Sequence, residues 1–164
     1  MIPSQSLVEI RPAKTDDVAI ILGFIRALAD YEKLTSMVVA TETLLTEHLF
    51  GPHPAAEVLI ANLNGKPVGF ALFFSSFSTF LARPGIYLED LFILPEARSR
   101  GIGKALLKAV AKIAVQRNCG RLEWAVLDWN DPAIGFYKKL GAVPMDEWTT
   151  MRVMGDELKK LSKP

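Results

Sequence analysis

The 164-residue sequence has one cysteine, Cys119, so no intramolecular disulfide can form and nothing calls for an oxidising compartment. Neither sign of charge is in excess: 19 Lys and Arg against 18 Asp and Glu leave a net charge of +1. That balance excludes a chain built to coat nucleic acid. The two histidines, His48 and His53, show no ligand spacing, and no metal site is expected. No long apolar run is present either. The most apolar stretch, Ala19 to Ala29, is interrupted by Arg26 and falls short of the ~20 residues of a membrane span. The opening MIPSQSLVEIRP lacks the basic start and apolar stretch of a signal peptide. Repeats, low-complexity tracts and linker-like charge runs are also missing. What remains is an expectation of a single cytoplasmic globular domain over residues 1–164.

What is present is periodic. Leu7 to Arg11 alternates apolar and charged residues, as a half-buried strand does. Thr15 and Asp16 are cap candidates for a helix with Val18, Ile21, Leu22, Ile25, Leu28 and Ala29 on its apolar face, ending near Tyr31 and Glu32. The segment KLTSMVVA reads as a loop. A second helix, about Glu42 to Phe50, is capped by Thr41 and closed by Gly51-Pro52. Asn64-Gly65 between the runs Glu57 to Asn62 and Pro67 to Ser75 predicts a tight hairpin. Ser76 to Gly85 reads as loop, Ile86 to Leu94 as a central strand, and Leu106 to Ala114 as the apolar face of a helix ended by Asn118-Cys119-Gly120. Cys119 sits at that helix terminus as a buried filler rather than a nucleophile. Leu122 to Asp128 predicts a further strand, Ala133 to Leu140 a short helix, and Thr149 to Met154 a last strand before a charged tail. Mixed order with two helix crossovers argues for an α/β or α+β fold, a sheet with helices on its faces.

One stretch organises the rest: IYLEDLFILPEARSRGIGKAL, Ile86 to Leu106. A strand that runs through a basic, glycine-bearing loop into a helix N-terminus is a place to hold phosphate. Unpaired backbone N–H groups converge there, and the helix dipole favours negative charge. Glu89 and Asp90 sit inside the strand just before this cradle. As neighbours on a regular strand they would face opposite sides, unless a bulge intervenes.

Arg98-Ser99-Arg100-Gly101-Ile102-Gly103 fits the pattern Arg/Gln-x-x-Gly-x-Gly/Ala, and Asn130-Asp131-Pro132-Ala133 through Tyr137 to Gly141-Ala142 is similar to a second signature of the same family. Together they resemble the GNAT acyltransferases. Ala29-Asp30-Tyr31-Glu32-Lys33, Ile86-Tyr87-Leu88-Glu89-Asp90 and Trp129-Asn130-Asp131-Pro132 resemble the diamine (spermidine/spermine) N-acetyltransferase branch over nearly the whole chain. The resemblance implies the GNAT fold, a mostly antiparallel central sheet flanked by helices. It also implies direct transfer of acetyl from acetyl-coenzyme A (acetyl-CoA) to a primary amine of a small polyamine or diamine, in a ternary complex. An amino-acid analogue resembling lysine, or a protein amine, is the alternative acceptor. A non-catalytic acyl-CoA-binding module is the reading outside catalysis. Enzymes of this branch are commonly homodimers, so a homodimer is expected by resemblance alone.

The resemblance also assigns roles. An alkylammonium with pKa about 10.4 is neutral in only about one molecule in 2,500 at pH 7, so the site must accept a proton. Glu89 matches the glutamate that helps remove it, and Tyr137 the tyrosine that protonates the departing thiolate. The backbone of Leu91, Phe92 and Ile93 would hold the acetyl carbonyl and pantetheine arm. Arg98, Ser99, Arg100, Gly101, Ile102, Gly103 and Lys104 would cradle the pyrophosphate. Asn130, Asp131, Pro132, Ala133, Tyr137 and Lys139 complete the cofactor set. Tyr31, Glu32, Glu89, Asp90, Glu147 and Trp148 form the amine set, acidic and aromatic side chains suiting a cation.

Overall fold

The structure is a computed structural model and describes residues 7–164. The opening six residues, part of the stretch read as lacking a signal peptide, lie outside the described residues. The chain divides into two compact units, Met1–Ala125 and Val126–Pro164.

The first unit is a five-stranded sheet in the order β1-β2-β3-β4-β5, with β1 Val8–Pro12, β2 Glu57–Leu63, β3 Lys66–Ser78, β4 Arg83–Ile93 and β5 Leu122–Trp124. The first four strands are antiparallel neighbours, and β5 runs parallel to β4. Its helices are α1 (Val18–Tyr31), α2 (Glu42–Phe50) and α3 (Ile102–Gln116). In β2 the residues Val58 to Asn62 are all buried, the mark of a strand covered on both faces. Val58 and Ile60 join Phe70, Phe92, Ile21 and Phe24 in one core, with Leu45, Leu49 and Phe50 of α2 packed against it. The Phe24 and Phe70 rings stack at 5.6 Å. On α3 the buried residues are Ile102, Leu106, Leu107, Val110 and Ala114, the stripe its sequence period predicts.

The expected hairpin forms at Asn64-Gly65, where both residues have positive φ, 51° and 78°. The α2 cap is also as expected: Thr41 Oγ1 accepts from the Leu44 N–H. Four expectations fail. Thr15 and Asp16 do not cap α1. They belong to a 3₁₀ turn, Thr15–Asp17, whose Asp17 accepts from the Lys14 N–H at 2.7 Å and takes a bidentate bond from Arg11. The guanidinium holds the Asp17 carboxyl below its usual range, the hydrogen bond outweighing burial.

The stretch Ser76 to Gly85 is not a loop. Strands β3 and β4 run into it from both sides, and only residues 79–82 turn. Proline and serine discouraged a strand reading there, yet the ladder pairs Ser76 with Gly85 and Phe77 with Pro84. Finally, Thr149 to Met154 forms no strand and is exposed throughout. A strand persists only where a neighbour satisfies its backbone groups, and local composition does not supply that neighbour. Likewise the strand expected over Leu122 to Asp128 pairs only as far as Trp124. The second unit contains α4 (Asp131–Lys139) and α5 (Gly155–Leu161). Among the described residues no helix is long and apolar enough to cross a membrane.

Candidate active site

Strand β4 is interrupted at its acidic pair. Leu88 is opposite Phe73 and Asp90 is opposite Leu72, so Glu89 is an extra residue in a β-bulge. After the bulge the alternation is reset: Asp90 falls on the face of Phe92, the face covered by α1. The bulge left open by the sequence is present, so Glu89 and Asp90 do not take the opposite-facing arrangement of a regular strand. Both line one cleft of about 390 Å³ with Ile25, Leu28, Ala29 and Glu32 of α1 and the segment from Leu34 to Ala40.

Three carboxylates share this otherwise apolar lining, and the cost falls on the most buried of them. Asp90 is pushed up to about 6, first by burial and then by the charges of Glu89 and Glu32. Burial alone pushes Glu32 up. The apolar wall went unnoticed in the sequence, where Met37-Val38-Val39-Ala40 carries no helical or strand period; its signal was an apolar run inside a loop. Tyr31 does not line this cleft. Its ring lies under the Arg98 guanidinium, 4.7 Å from ring centre to the central carbon.

The same strand opens along its other edge. Pairing with β5 ends at Leu88 and Trp124, so among the described residues no strand is paired on that side of β4 from Glu89 to Ile93. The Leu94 N–H bonds toward β3, to Val68 O. By alternation the N–H groups of Leu91 and Ile93 point the other way, to the open edge. The Ile93 carbonyl accepts from Arg98 Nε at 3.0 Å. Beyond Ile93 the chain makes a short 3₁₀ turn, Pro95–Ala97, and enters the basic loop.

That loop passes twice through left-handed backbone, at Ser99 (φ 62°) and Gly101 (φ 77°). Gly101 precedes α3 and no side chain caps the helix. The first α3 hydrogen bond is Ala105 N–H to Gly101 O, which leaves the amides of Ile102, Gly103 and Lys104 at the open end. A Cβ on Gly101 would meet nothing within 4 Å, and one on Gly103 would meet only Ile93 Cγ1 at 3.9 Å. Both glycines therefore leave room above the backbone. Arg98, Arg100 and Lys104 are exposed around it.

In the second unit, Asn130 caps α4, its side chain accepting from the Ala133 N–H at 3.4 Å, and Pro132 stands in the first turn. Tyr137 lies in the last turns of α4, and its carbonyl accepts from Ala142 N–H past Gly141 (φ 92°). Lys138 and Lys139 end the helix and complement its dipole. Glu147 and Trp148 belong to an exposed turn, Pro144 to Trp148, that bounds a shallow hollow of its own.

The Acetyltransferase (GNAT) family model matches residues 25–142, from the cleft wall on α1 to the end of the α4 segment. The chain belongs to the GNAT family. It is an N-acetyltransferase. Thialysine N-epsilon-acetyltransferase of Bos taurus is 39% identical, over 96% of this chain and 98% of that protein. The L-ornithine N5-acetyltransferase of Arabidopsis thaliana is 34% identical over 94% and 87%. Among solved structures, an integron cassette protein from V. cholerae superposes with a TM-score of 0.79 at 32% identity, over 96% of this chain and 98% of that one.

Enzymes of the GNAT family draw their acyl group from acetyl-CoA, and the first unit fits such a donor. The open β4 edge offers strand-like N–H donors for an amide-bearing arm. The amides at the start of α3, with three basic side chains about them, suit a diphosphate.

Proposed function

We propose that this enzyme transfers acetyl from acetyl-CoA directly to the side-chain amine of a small lysine- or ornithine-like molecule. The observation that carries the reading is the bulge at Glu89, which turns two adjacent carboxylates into one cleft beside the open β4 edge. An ammonium entering an acidic cleft is held by charge, yet must lose a proton before it can attack a thioester. Glu89, exposed at the bulge, accepts that proton directly or through water and returns it to solvent. Asp90 and Glu32 attract the cation and, being reluctant to ionise, match a partner that brings its own positive charge.

Acetyl-CoA, when bound, supplies an activated acyl carbonyl and a thiolate leaving group. The Leu91 and Ile93 N–H groups stabilise the carbonyl oxygen and align the arm, a contribution of about 3 kcal/mol per donor in acyl transfer. Residues Arg98 to Lys104 hold the diphosphate. Asn130 to Ala133, with Lys139, belong to the cofactor set by the match of their motif, and Tyr137 holds the proton for the thiolate. That the family model spans both compact units supports treating them as one acetyltransferase domain. A cytoplasmic homodimer belongs to the same reading, and sedimentation of the purified protein tests the dimer.

The acceptor class rests on the names of the relatives, both acting on amino acids with a side-chain amine. A polyamine or diamine acceptor is the second reading. It is favoured by one observation: the cleft lining holds three acids and no Lys, Arg or His to meet a substrate carboxylate. Rates of coenzyme A release with thialysine, ornithine, lysine, spermidine and putrescine decide between them. Higher kcat/KM for the amino acids supports the first reading, and higher values for spermidine or putrescine replace it with the second.

A further inference from the structure

Arg98 is the first residue of the phosphate loop, and three residues from two elements of the first unit, α1 and β4, converge on its side chain. Its guanidinium carbon lies 4.7 Å from the Tyr31 ring centre at the end of α1 and 5.7 Å from the Phe92 ring in β4. Its Nε donates to the Ile93 carbonyl at 3.0 Å. A guanidinium stacked on one ring and anchored through Nε has its plane fixed, while its two terminal nitrogens keep four N–H donors in a rigid fork. Tyr31 is therefore engaged on the cofactor side of α1, whereas its neighbour Glu32 lines the amine cleft.

We propose that Tyr31 is a positioning residue for cofactor binding: its ring holds Arg98 so that the terminal donors meet a phosphate at the start of α3. This rests on the reading that the enzyme binds acetyl-CoA. An unsupported Arg98 is an exposed, flexible side chain that must be ordered when the phosphate arrives, and the aromatic face removes part of that cost beforehand. Phenylalanine keeps the ring face and leucine does not, so the two replacements separate a cation–π support from simple bulk.

The test compares Tyr31→Leu, Tyr31→Phe, Arg98→Leu and the Tyr31→Leu/Arg98→Leu double variant. Dissociation constants are measured by calorimetry for coenzyme A and for pantetheine, which lacks the diphosphate. Thermal unfolding without ligand is recorded alongside. Tyr31→Leu is expected to weaken coenzyme A about threefold to tenfold and to leave pantetheine unchanged. Tyr31→Phe should stay within about twofold of wild type, and the double variant should bind coenzyme A no more weakly than Arg98→Leu alone.

Equal losses for coenzyme A and pantetheine, or independent losses that multiply in the double variant, would overturn the proposal. So would an unchanged coenzyme A affinity in Tyr31→Leu, whatever its melting temperature. A wild-type protein that binds pantetheine and coenzyme A equally would refute Arg98 as a phosphate ligand, and the proposal with it. If wild type bound neither, the acetyl-CoA reading itself would be overturned, a result distinct from every other.

Discussion

Glu89 and Asp90 are adjacent in β4 yet line the same cleft, because the bulge removes Glu89 from the ladder and resets the alternation for Asp90. A single inserted residue thus does two jobs. It gathers carboxylates on the α1 side and, past Leu88, coincides with the point where β4 loses its neighbour β5.

The gathering has a measurable cost. The folded-state pKa of Asp90, about 6, lies above its ordinary value of 3.8. A raised carboxyl contributes stability that is complete below the unfolded value and lost as pH rises through the folded one. Wild-type stability should therefore fall between about pH 4 and pH 6 on account of this group. Asp90→Asn, which cannot ionise, should be more stable than wild type at pH 7.5 by on the order of 2 kcal/mol and equal to it at pH 4. Urea unfolding at the two pH values measures the difference.

Glu89→Gln should lower kcat about 10²-fold at pH 7 while the KM for the amine changes by less than about threefold. Steady-state rates at saturating acetyl-CoA read both. If only KM rises, Glu89 is an attracting charge and the proton leaves by another route.

The two loop glycines should separate fold from function. Gly101 has φ 77°, where an added Cβ costs about 1 kcal/mol, so Gly101→Ala should lower stability by that amount. Gly103 is inside the first turn of α3 with open space above it, so Gly103→Ala should leave stability unchanged or slightly raised. It should nonetheless weaken coenzyme A by about tenfold, because the methyl group occupies room a diphosphate needs. Chemical denaturation and calorimetry on the same samples check both halves.

Tyr137→Phe should reduce turnover about 10²-fold and leave coenzyme A affinity within about twofold, since only the phenolic proton is removed. Full activity at saturating substrate would remove Tyr137 as the acid.

Much of this was legible in the sequence, because local chemistry dictates it. Asn64-Gly65 specifies its own turn and Thr41 its own cap. The basic glycine loop and the Asn130 segment are contiguous motifs, so their chemistry survives reading in one dimension. What was not legible depends on partners far along the chain. The bulge is defined by Leu72 and Phe73, residues whose own sequence gives no sign of it. The stacking of Tyr31 on Arg98, 67 residues on, is set by the fold and by nothing local to either residue. The apolar wall at Met37 to Ala40 has no period to betray it, and Thr149 to Met154 has strand-forming residues without a neighbour to pair with.

Under the proposed function, amine and acetyl-CoA occupy the enzyme together and acetyl passes directly between them. The most direct measurement is the initial rate of thialysine acetylation over a grid of both concentrations, with intact mass of the protein after acetyl-CoA alone. Intersecting double-reciprocal lines, a product acetylated once on its side-chain amine, and a protein of unchanged mass are expected. Parallel lines with a protein heavier by one acetyl group, or no acetylated amine despite bound acetyl-CoA, would contradict the proposed function.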